Sequence, residues 1–119
     1  MIFRTSLFIA ALITTHAHAD PATIEDVTAR ASGNSWTFSV TLRHGDTGWD
    51  DYADGWRVVH PDGTILGTRT LYHPHVDEQP FTRSLSGVEI PSDVDTVLIE
   101  ASTNTDGWGG ARFEVSLSR

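Results

Sequence analysis

The densest coordination chemistry in the chain lies in His73-Pro74-His75, followed by Glu78. Imidazole nitrogens suit zinc and copper, and two histidines one residue apart on an extended segment can reach a single ion. Pro74 favours that geometry, because a residue preceding proline is pushed out of the helical region. His44, expected in a neighbouring loop, could supply a third nitrogen. The candidate metal set is therefore His44, His73, His75 and Glu78, for Cu or Zn. The competing assignment is a proline-stiffened loop whose imidazoles hydrogen-bond to backbone carbonyls.

A second candidate is the acidic run Asp46-Thr47-Gly48-Trp49-Asp50-Asp51-Tyr52-Ala53-Asp54-Gly55. Oxygen clusters suit Ca²⁺, but Tyr52 and Pro61 stand where an EF-hand loop needs its position-three and closing ligands. Calcium therefore ranks behind copper and zinc. The simpler expectation is a hydrated loop in which Asp51 or Asp54 holds turns or pairs with an arginine.

The aromatic residues of the same region offer a different chemistry. Trp49, Tyr52 and Trp108, beside Asp50, Asp51 and Asp54, could form a ligand-binding surface for a glycan or a protein partner. Alternatively, Trp49 and Trp108 fold over the end of the domain and close its core. Trp36 and Trp56 are assigned to the core. Gly67, His73, His75 and Glu78 also resemble part of the first cupin motif, which would imply a metalloenzyme. The glutamate follows the second histidine too soon, and the second cupin motif is missing. No nucleophile elbow, phosphate loop or dinucleotide fingerprint is found, so a binding module is favoured over an enzyme.

These residues must be positioned by strands. Trp36, Phe38, Val40 and Leu42 alternate with polar residues, as do Val97, Ile99 and Ala101, and Phe113, Val115 and Leu117. Period-two alternation reads as half-buried strands. Turn signals at Gly33-Asn34, Pro61-Asp62-Gly63, Ser86-Gly87, Pro91-Ser92-Asp93 and Gly109-Gly110 separate them. The expected strands are 23–31, 35–43, 56–60, 64–72, 81–89, 95–103 and 111–117, an all-β antiparallel two-sheet sandwich. Strand direction then puts loops 44–55, 73–80 and 104–110 at one end. His60 falls at the other.

The segment Phe81–Gly110 (FTRSLSGVEIPSDVDTVLIEASTNTDGWGG) resembles the later strands of a fibronectin type III domain, which implies an immunoglobulin-like sandwich and no activity. Residues 48–85 (GWDDYADGWRVV…HPHVDEQPFTRSL) resemble a group of short exported uncharacterised bacterial proteins.

The N-terminus has the three parts of a signal peptide: Arg4, an apolar Leu7–Ile13, and Ala17-His18-Ala19 before Asp20. The apolar run is far short of the ~20 residues that span a bilayer. Residues 1–19 are expected to be a signal peptide and 20–119 the mature domain, periplasmic or secreted, with no membrane insertion after cleavage. There is no cysteine, so no disulfide supports the fold. Every basic residue is arginine, and the net charge of −8 argues against nucleic acid as a partner.

Overall fold

The computed structural model describes residues 20–119; the expected signal peptide and its processing site lie outside them. Eight strands form in chain order: β1 Thr23–Ser32, β2 Ser35–Arg43, β3 Ala53–Val59, β4 Ile65–Thr70, β5 Phe81–Glu89, β6 Thr96–Thr103, β7 Gly107–Trp108 and β8 Phe113–Ser116. Among the described residues there is no helix. One sheet has the order β1-β2-β5. The other runs β4-β3-β6-β7, with β8 also pairing β6. All pairings are antiparallel. This is the expected two-sheet sandwich.

The alternation read from the sequence sets the inner faces. On β2, Trp36, Phe38, Val40 and Leu42 are buried, and Thr37, Ser39 and Thr41 point outward. Outward hydroxyls pair across to β5, Ser39 with Ser84 and Thr41 with Thr82, each at 2.7 Å. The facing sheet contributes Trp56, Val58, Val97, Ile99 and Ala101 to the same core. Burying each large apolar side chain is worth about 1.5–3 kcal/mol relative to exposing it. With no cysteine, this packing carries the stability.

The expected strand 111–117 forms as the shorter β8, and an unexpected strand precedes it. The chain first returns along β6 as β7, pairing Ser102 with Trp108 and Thr103 with Gly107. It then leaves and pairs again as β8, Val97 against Val115. Trp108 is thus a strand residue, and the loop at that end shortens to 104–106. Gly107 has φ +69°, a backbone region L side chains rarely adopt. That permits the tight reversal.

Candidate functional site

The loops β2–β3, β4–β5 and β6–β7 meet at one end, as strand direction required. Asp46 holds the first two together. Its side chain is fully buried, and Oδ1 accepts from His44 Nδ1 at 2.6 Å and from the Ala53 amide at 3.0 Å. Oδ2 accepts from the His75 amide at 2.8 Å. Because a carboxylate only accepts, His44 carries its proton on Nδ1. A second tie comes from Gln79. Its Oε1 accepts from the His44 amide at 2.9 Å, and its Nε2 donates to the His75 carbonyl at 3.0 Å.

Asn104 joins the third loop to the first. Its side chain accepts from the Tyr52 amide at 2.8 Å and donates to the Trp49 carbonyl at 3.0 Å. Its own amide donates to the Tyr52 carbonyl at 3.1 Å. Within the loop, the Thr47 amide donates to Asp51 O at 3.0 Å and the Asp51 amide to Gly48 O at 3.3 Å. The backbone carrying Trp49 is therefore fixed on both sides.

The candidate metal residues are placed as follows. The rings of His73 and His75 approach to 4.6 Å between centroids. His75 is buried and stacks on Phe81 at 4.0 Å, with 9° between the planes. Arg83 donates to His75 Nε2 at 3.0 Å and pairs with Glu78 at 3.0 Å. A guanidinium only donates, so Nε2 is the acceptor and the proton sits on Nδ1. Neither nitrogen of His75 then offers a free lone pair. His44 is turned to Asp46, with Nε2 3.6 Å from Asp51 Oδ1. His73 Nδ1 lies 3.1 Å from the Pro74 carbonyl. Among the described residues, no three His, Asp or Glu side chains gather as a group able to hold a metal ion.

Burial is the main cause that lowers the His75 pKa below 6.5, followed by the positive charge of Arg83 and then His73; Glu78 and Asp46 oppose it. Two carboxylates of the acidic run bond to β6 and the loop after it, not within a turn. Asp54 Oδ1 accepts from Ser102 at 2.6 Å, and Asp51 Oδ1 from Thr105 at 3.5 Å.

The aromatic residues divide. Trp49 is 67% exposed and meets Tyr52 edge to face, 5.7 Å between centroids at 76°. Trp108 instead lies on the outer face of the β3 sheet, over Gly55, with the Arg57 guanidinium 4.1 Å from its ring centre. Asp50 is exposed beside Trp49. Tyr72 and Val76, in the β4–β5 loop, are 75% and 52% exposed. Sequence reasoning did not single out Tyr72, Gln79 or Asn104. Tyr72 read as a strand end, and amides carry no spacing signature.

No family model matches the chain, and no solved structure matches it. It is 43% identical over 95 residues to a protein of Halomicrobium mukohataei whose name describes a candidate lipoprotein. The aligned part is 79% of this chain and 46% of that protein, so the chain spans about half the length of its relative.

Proposed function

We propose that the domain is an extracytoplasmic binding module whose contact surface is the loop end around Trp49. The observation that carries this reading is Trp49 itself, 67% exposed on a backbone held by Asn104 and the Gly48–Asp51 bridge. Large aromatics are enriched at binding hot spots, and a fixed loop reduces the entropy lost on binding. Tyr72 and Val76 add exposed apolar side chains on the β4–β5 loop at the same end. The signal-like N-terminus supports export, and so does the relative's lipoprotein name. A Cu or Zn site is the second reading. The 4.6 Å approach of His73 and His75 favours it, and Arg83 on His75 Nε2 stands against it.

Site-specific photo-cross-linking in the producing cells tests the first reading. A photoreactive residue at Trp49 should trap a defined partner. The same residue at Asp62, at the opposite end, should not. Equal or absent trapping at the two positions would remove the loop end as the binding surface.

A further inference from the structure

We propose that the loop end takes a basic polypeptide segment, with an arginine or lysine side chain stacked on the exposed Trp49 indole. This rests on the binding-module reading and names its partner class. Trp49 is 67% exposed and meets Tyr52 edge to face, which leaves at least one face of its indole uncovered by Tyr52. A cation within about 6 Å of a ring centroid is attracted by the ring quadrupole.

The charge of the three loops selects the same partner. Residues 44–52, 71–80 and 104–106 contain no arginine or lysine. Besides the buried Asp46 they carry Asp50, Asp51, Asp77, Glu78 and Asp106, and of these five all but the half-buried Asp51 are exposed. The nearest cation on the β5 side, Arg83, is tied to Glu78 and His75. The carboxylates are spread over three separate loops. That spacing suits several cations along an extended chain better than one small ion. Exposed Tyr72 and Val76 would cover the apolar stems of such side chains.

The experiment is titration calorimetry of the exported protein with a short Arg-Ser repeat peptide, a Gln-Ser peptide of equal length, and a neutral oligosaccharide of N-acetylglucosamine. The Arg-Ser peptide should bind at low salt and weaken as salt screens the loops. Trp49→Ala should weaken it about tenfold through loss of the cation–π contact. Asp50→Asn should weaken it too, and Asp62→Asn, at the far end, should leave it unchanged. Equal binding by wild type and Trp49→Ala would reduce the attraction to diffuse charge and overturn the proposal. So would failure of the Arg-Ser peptide to bind at all. If the oligosaccharide binds instead and Trp49→Ala abolishes it, the basic partner falls while the binding-module reading stands. If neither ligand responds to Trp49→Ala, the basic partner falls, and trapping at Trp49 decides whether a binding surface remains.

Discussion

The backbone amide of His75 donates to Oδ2 of Asp46 across 29 residues of sequence, at 2.8 Å. One carboxylate thereby fixes two loops. His44 Nδ1 and the Ala53 amide fill its other oxygen.

Asp46→Asn should therefore be costly despite its near-identical shape. An amide has one acceptor oxygen, and its NH₂ would face a donor. At least one buried N–H is left unpaired, and the charge-assisted bonds are lost. The expected loss is about 2–4 kcal/mol, read from urea unfolding, with faster amide exchange at His75. A loss below about 1 kcal/mol would mean that water replaces the carboxylate readily.

His75 predicts a pH effect. Its folded pKa is lowered from 6.5, chiefly by burial. Above about pH 6.5 the imidazole is neutral in both states and the stability is fully present. As pH falls below that value the unfolded chain takes up a proton first, so stability is lost until the folded pKa is reached. His75→Phe keeps a ring against Phe81 and removes the titration. Melting temperature should drop between about pH 7 and about pH 5 in wild type, and drop less in the variant. Parallel curves would exclude His75 as the source.

Much of this was legible in the sequence, and the exceptions have physical causes. Strands 35–43 and 81–89 were read with their final bounds. In β2 the large apolar residues alternate without interruption. β5 is bracketed by Pro80 and Pro91. The shared loop end followed from strand direction alone. The two-residue β7 escaped because a strand of that length has no period to detect. The clasp of Asp46 escaped because its partners come from Ala53 and His75, and a lone aspartate in Gly-Asp-Thr-Gly carries no sign of them. His73 and His75 were expected to share an ion. The stacking of His75 on Phe81 and its bond from Arg83 are tertiary and could not be read from H-x-H.

Arg83 sets the next expectation. It occupies His75 Nε2 and brings a positive charge to the loop. Cu²⁺ and Zn²⁺ should bind weakly to wild type in titration calorimetry. Arg83→Ala should bind them more tightly, because it frees Nε2 beside His73 and releases Glu78. Tight binding by wild type, lost in the double variant His73→Ala, His75→Ala, would restore the metal site. That outcome requires Arg83 to swing away.

Asn104 separates preorganisation from contact. Its side-chain hydrogen bonds go to the backbone of Tyr52 and Trp49 and not to either ring, so it need not meet a ligand that rests on the rings. Asn104→Ala removes two exposed hydrogen bonds, each worth about 0.5–1.5 kcal/mol at most. The fold should survive, since the core lies elsewhere. The Tyr52 amide should exchange faster, and the angle between the two rings should no longer be held. Binding at the loop end should then weaken by about three- to tenfold, because the ordering cost once met in folding falls on association. Unchanged affinity alongside faster exchange at Tyr52 would show that the Trp49 loop orders itself without Asn104. The contact surface would then be the Trp49 and Tyr52 rings alone, and the inter-loop clasp would serve stability only.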